Sequence, residues 1–93
     1  MQKLYKFQWD CGRMGSVEGL FVADEGEVAA AVGKEVYFGE ILGKHSDVSG
    51  TLDAEDLTVA TDDQDFIVKL VGIIGTTTIS GYNPLSYIDG DED

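Results

Sequence analysis

Apolar and polar positions alternate over residues 3–9. Tyr5, Phe7 and Trp9 fall on one side and Lys6 and Gln8 on the other, the period of a half-buried strand. The segment Asp10-Cys-Gly-Arg-Met-Gly-Ser16 puts two glycines where a turn needs positive φ, and Val17 to Ala23 reads as a second strand closing a hairpin. Asp24 with Glu27 three residues later matches a capping box, so a short helix is predicted through Val28 to Val32, stopped by Gly33. Extended patterning returns at Glu35 to Ile41 and Val48 to Leu52, the arms of a second hairpin around a Gly/Lys/His/Ser/Asp loop at 43–47. After the acidic turn Asp53 to Asp56, Leu57 to Thr61 has the β-branched content of a strand. Thr61 with Gln64 resembles a second capping box. Phe66, Ile67, Leu70, Val71 and Ile74 then repeat at helical spacing as far as Gly75. Thr76 to Ile79 can add a short edge strand, and Pro84 confines residues 80–88 to a loop or a sheet edge.

The predicted order is ββαβββα followed by an extended C-terminal segment. It describes one α+β domain over residues 1–88, whose small, mostly antiparallel sheet is expected to carry both helices on one face. The acidic tail, residues 89–93, is expected to be disordered. With 93 residues the chain can bury one small core but has no room for a second lobe or a deep substrate cleft. A hydrophobic content of 43% is too high for a disordered acidic chain. The single Cys11 allows no intramolecular disulfide, and no apolar run suits a signal peptide or a membrane span, so a cytoplasmic protein without membrane contact is expected.

Candidate catalytic motifs fail on spacing. Gly39 to Ser46 has the glycines and the lysine of a phosphate-binding loop, but three residues rather than four separate its glycines and His45 follows Lys44. His45, Ser46 and Asp47 are the residue types of a hydrolase triad, yet neighbours on one loop cannot easily form the relay of nucleophile, base and orienting carboxylate. Nothing in the sequence brings Cys11 to His45 as a thiol nucleophile and its base. One Cys and one His cannot make a structural zinc site, and no carboxylate group has the order of a calcium-binding EF-hand. No catalytic residue, metal or cofactor is therefore expected.

Charge carries the most information. The chain holds eighteen acidic and six basic side chains, a net −12. Residues 1–50 carry a net −3 and residues 51–93 a net −9. Six cations are too few to hold nucleic acid directly. One reading of the acidity is solubility. The other is imitation of nucleic-acid phosphates: carboxylates two apart on a strand would lie about 6.6 Å from one another. That array would occupy the basic surface of a nucleic-acid-binding protein or nuclease through Asp53, Glu55, Asp56, Asp62, Asp63 and Asp65. Asp62 and Asp63 also suit a helix N-terminus, whose dipole favours acids. Gly81 to Ile88, with Tyr82 and Tyr87, reads as an arm packed on the domain's own sheet or, alternatively, as an aromatic contact strip of a small adaptor. A homodimer would add burial to so small a core.

With the acidic half and the segment Val36-Tyr-Phe-Gly-Glu-Ile-Leu-Gly-Lys-His-Ser-Asp-Val48 in view, the chain resembles the small acidic proteins encoded by bacteriophages and other mobile elements. The resemblance is one of size, charge and texture over most of the chain and contains no diagnostic motif, so no residue role is carried over. Proteins of this kind include anti-CRISPR and anti-restriction inhibitors, some of them DNA mimics. The resemblance implies a non-enzymatic inhibitor acting in the host cytoplasm on a DNA-binding effector or nuclease.

Overall fold

The computed structural model describes residues 1–42 and 47–88. Strands β1 (Gln2–Asp10) and β2 (Ser16–Asp24) flank a 3-10 turn at Gly12–Met14, and helix α1 (Glu25–Ala31) follows. Then come β3 (Glu35–Gly39), β4 (Val48–Thr51), a 3-10 turn at Ala54–Asp56 and β5 (Leu57–Thr61). Helix α2 (Gln64–Ile74), β6 (Thr78–Gly81) and a 3-10 turn at Pro84–Tyr87 complete the chain. This is the α+β order that the sequence pattern predicts.

The hairpin of β1 and β2 organises everything else. Its turn works because Gly12 and Gly15 take φ of 67° and 113°. The register runs from Gln2 opposite Asp24 to Asp10 opposite Ser16. β5 and β6 add antiparallel to its two sides in the order β5-β1-β2-β6. Tyr5 faces Phe21, Phe7 faces Gly19 and Trp9 faces Val17 on one surface of the sheet. Leu4 with Val22 and Lys6 with Leu20 lie on the other.

Both surfaces are covered. Leu4 and Tyr5 are consecutive and buried, as are Phe21, Val22 and Ala23, which requires packing above and below the strands. On the aromatic surface Tyr5, Phe7, Val17 and Phe21 meet Val28 and Ala31 of α1, Val36 and Phe38 of β3, Val48 of β4 and Leu52. On the opposite surface Leu4 and Val22 meet Ile67 of α2. The helices therefore sit on opposite faces of the sheet, not on one. The expectation overlooked that Leu4 and Val22, one residue out of phase with the aromatic row, form a second apolar surface. That surface is small, so α2 buries only Ile67 fully, and Phe66 and Ile73 stay 49% and 82% exposed.

β3 and β4 form a separate two-stranded hairpin laid on the aromatic surface. It is tied on by Gly33 N–H to the Leu52 carbonyl and Leu52 N–H to the Lys34 carbonyl, at 2.8 and 2.9 Å. The C-terminal segment leaves the sheet at Gly81, whose φ is 66° and which stands opposite Gly19. A side chain at Gly19 would occupy the position of the Tyr82 carbonyl, and one at Gly81 would strike the Glu18 carbonyl. This close pair lets Tyr82 donate its N–H to Glu18 and turn across the aromatic surface, where Pro84 is buried and Ile88 bridges to Val36.

Gly19→Ala should therefore cost about 1–3 kcal/mol, the range for overpacking a close contact. Gly72 lies inside α2 with open space around it, and Gly72→Ala should gain about 0.5–1 kcal/mol. Thermal and urea unfolding of the two variants should move in opposite directions. Equal effects would contradict the backbone approach described for Gly19.

Candidate functional site

The six acidic residues singled out in the sequence stand at the two ends of β5. Asp53, Glu55 and Asp56 occupy the 3-10 turn before it, and Asp62, Asp63 and Asp65 the loop and first helical turn after it. None lies on a strand, so the carboxylate spacing of about 6.6 Å that belongs to a strand does not apply. Five extended residues at about 3.3 Å each put a strand about 17 Å long between the groups. β5 itself carries no charge.

At the first pole Asp56 is half-buried and holds the turn together. Its Oδ2 accepts the Trp9 indole N–H at 2.6 Å and the Asp53 backbone N–H at 2.9 Å. Trp9 is fixed in turn, its ring 5.3 Å from Phe7 and 5.5 Å from Phe38. Glu55 makes no hydrogen bond or ion pair among the described residues and projects beside an open groove of about 470 Å³. Lys6, Gln8 and Asp10 line the same groove with Glu55, Asp56 and Thr58. Asp10 was not among the residues chosen from the sequence. It reaches this pole because β1 runs antiparallel to β5, so that the end of β1 meets the start of β5.

At the second pole Asp63 is the N-cap of α2, accepting the Phe66 N–H at 3.3 Å. This corrects the cap predicted at Thr61. Thr61 is held in β5 by its pairing with Leu4, and its hydroxyl accepts the Asp63 N–H instead. Gln64 does not reach back to a cap N–H; its amide donates to the carbonyls of Gln2 and Asp62. Asp62 and Asp65 are exposed. Two more acids, Asp24 and Glu25, join this end through the β1–β2 register. Glu25 pairs with Lys3 at 3.0 Å. That hydrogen bond and charge, with a smaller contribution from Asp62, hold the Lys3 ammonium above its ordinary pKa. The Met1 ammonium at 2.9 Å, and then the Gly26 N–H, hold the Asp24 carboxyl below its ordinary value. Asp24 caps α1 as the sequence predicts.

The acids thus form two exposed poles with an uncharged edge strand between them. Both ion pairs among the described residues use Asp24 or Glu25 and leave the six sequence-predicted acids unpaired. Tyr82 and Tyr87 do not belong to this surface. Their rings pack on Phe38 at 5.8 and 4.8 Å and on each other at 6.2 Å, so the C-terminal strip completes the chain's own core. Cys11 is half-buried and lines an open groove of about 330 Å³ with Trp9, Asp10 and Asp47. His45 and Ser46 lie outside the described residues, as does the 89–93 tail. Among the described residues no three His, Cys, Asp or Glu side chains are grouped as metal ligands, and no helix is long and apolar enough to cross a membrane. No protein-family model, curated protein or solved structure matches the chain.

Asp56→Ala removes a charged acceptor from two donors and should cost about 1.5–3 kcal/mol, with a change in Trp9 fluorescence in the folded state. Glu55→Ala should stay within about 0.5 kcal/mol and leave the indole spectrum unchanged. Equal stability of the two variants would show that Asp56 does not anchor the turn.

Proposed function

We propose that this protein is a non-enzymatic inhibitor that binds the basic surface of a nucleic-acid-binding protein or nuclease, presenting its carboxylates where phosphates would otherwise lie. The observation that carries the reading is the pair of acidic poles, left exposed and largely without cations at the two ends of β5. A length of about 17 Å of duplex carries about ten phosphate charges. The poles place six carboxylates at the two ends of such a length, three at each, with Asp10, Asp24 and Glu25 close by. Solubility alone asks only for net charge and would be served equally by acids spread over the surface. Structural duties account for Asp56 and Asp63, but not for Glu55, Asp62 and Asp65. Opposite charge on the partner would speed association and make it sensitive to salt.

The adaptor reading, in which Tyr82 and Tyr87 make the partner contact, has less support. Those rings are engaged with Phe38, and only Tyr87 keeps a substantial exposed edge, 36% of its surface.

The triple variant Glu55→Gln, Asp62→Asn, Asp65→Asn tests the proposal without touching Asp56 or the Asp63 cap. Tagged chain in a host lysate at low salt should capture a basic DNA-binding protein that added salt or duplex DNA releases. The triple variant should bind it about threefold to a hundredfold more weakly, given about 0.2–1 kcal/mol for each exposed charge pair. A partner held equally well at high salt, and by the triple variant, would overturn the reading.

A further inference from the structure

We propose that β5 is a docking edge, and that the partner adds an extended basic segment to it as a further strand of the sheet. This rests on the acidic-binder reading and specifies how the partner engages the same surface.

The inference begins from backbone hydrogen bonding. β5 is one of the two edge strands of the four-stranded sheet, the longer one, and pairs only with β1. The Leu57 N–H turns back to the Ala54 carbonyl and closes the 3-10 turn, but among the described residues no turn, cap or side chain bonds to the outward backbone groups of Thr58 to Ala60. An edge of this kind is a template for another strand, and proteins ordinarily blunt it with Lys, Pro, an inward charge or a bulge. Leu57-Thr-Val-Ala-Thr61 has no Lys, no Pro and no charge. Its one such device is the bulge at Ala60, where the pairing jumps from Tyr5 opposite Val59 to Leu4 opposite Thr61. Thr58, Val59 and Ala60 are exposed. The small sheet is treated differently, because Ile88 bridges to Val36 and covers the free side of β3.

Charge selects the occupant. A second copy pairing antiparallel about Val59 would bring the pole before β5 of each copy to the pole after β5 of the other. Acidic pole would meet acidic pole at both ends, so self-association through this edge is repelled. The same arrangement attracts a strand with Lys or Arg at both ends. The uncharged middle accepts main-chain hydrogen bonds while the ends meet the poles on either side of a strand about 17 Å long. The favoured occupant is therefore an extended segment with basic residues about six positions apart and small or β-branched residues between them.

The test uses isotope-labelled full-length chain at low salt and a synthetic peptide of alternating Val and Thr with Lys-Arg at each end. Two further peptides carry N-methyl groups on alternate residues, one along each backbone edge, so that charge is kept while one row of donors is lost. A fourth peptide has Glu at both ends. The unmodified basic peptide should shift the amide resonances of residues 57–61, one methylated peptide should bind at least tenfold more weakly, and the other should bind nearly as well. Equal binding of both methylated peptides, shifts confined to other residues, or no binding of the basic peptide would overturn the docking edge. If the Glu-ended peptide binds as well as the basic one, the acidic-binder reading fails instead, and the methylated pair still reports separately on strand addition.

Discussion

The indole of Trp9 joins the fold to its acidic surface. It stands at the end of β1 on the aromatic face, in contact with the rings of Phe7 and Phe38, and its N–H is donated at 2.6 Å to Asp56. Burying an indole while leaving its N–H without an acceptor would cost about 1–3 kcal/mol, so an acceptor at this point is a requirement of the packing. Asp56 supplies it and so fixes the turn that starts β5. Gly50 of β4 lies over the ring, where a Cβ would make ordinary van der Waals contact at 3.5 Å. One aromatic residue thereby positions the outer hairpin, the acidic turn and the edge strand. The first acidic pole is consequently held by the core.

Much of the fold is legible in the sequence because the local signals agree with one another. The alternation through Tyr5, Phe7 and Trp9, the glycines at 12 and 15, and the Asp24 cap each specify a local geometry that the tertiary structure keeps. The strand order is less accessible. Pairing β5 with β1 and β6 with β2 depends on contacts between residues far apart in the chain, and no residue type marks them. The placement of the helices on opposite faces was encoded, but faintly, in Leu4 and Val22, which read as interruptions of an alternating pattern until α2 is seen to cover them. The Gly19–Gly81 approach is another long-range constraint. Each glycine looks like ordinary turn or strand punctuation until the Tyr82 backbone is found in the space between them.

The site was legible as composition but not as geometry. An excess of carboxylates between residues 53 and 65 is plain from the sequence, whereas their division into two groups follows from the intervening strand. Residue type also did not separate acids with structural duties from acids without them. Asp56 and Asp63 differ from Glu55 and Asp65 only in what lies nearby, an indole N–H in one case and an unpaired helix N–H in the other. Asp10, Asp24 and Glu25 joined the poles unannounced, because strand register rather than sequence proximity brings them there. Tyr82 and Tyr87 show the converse: side chains that resemble a binding strip in the sequence are used to close the core.

Electrostatics and hydrogen bonding constrain the surface in a common direction. Carboxylates gathered at two poles repel one another, and a net −12 on a small domain opposes compactness. Lys3 and the Met1 ammonium relieve part of that repulsion at Asp24 and Glu25. Lys6 lines the groove at the other pole, yet Glu55 there has no ion pair among the described residues. Dispersing the acids would lower the repulsion at no cost to solubility, so their concentration around an uncharged edge asks for a compensating interaction. The open backbone of β5 has the same need, since past the Leu57 N–H, which closes the preceding turn, its outward N–H and C=O groups have no partner among the described residues. A basic extended chain satisfies both at once. It brings cations to the poles and donors and acceptors to the strand, whereas a second copy of this chain satisfies the strand only by bringing the poles together.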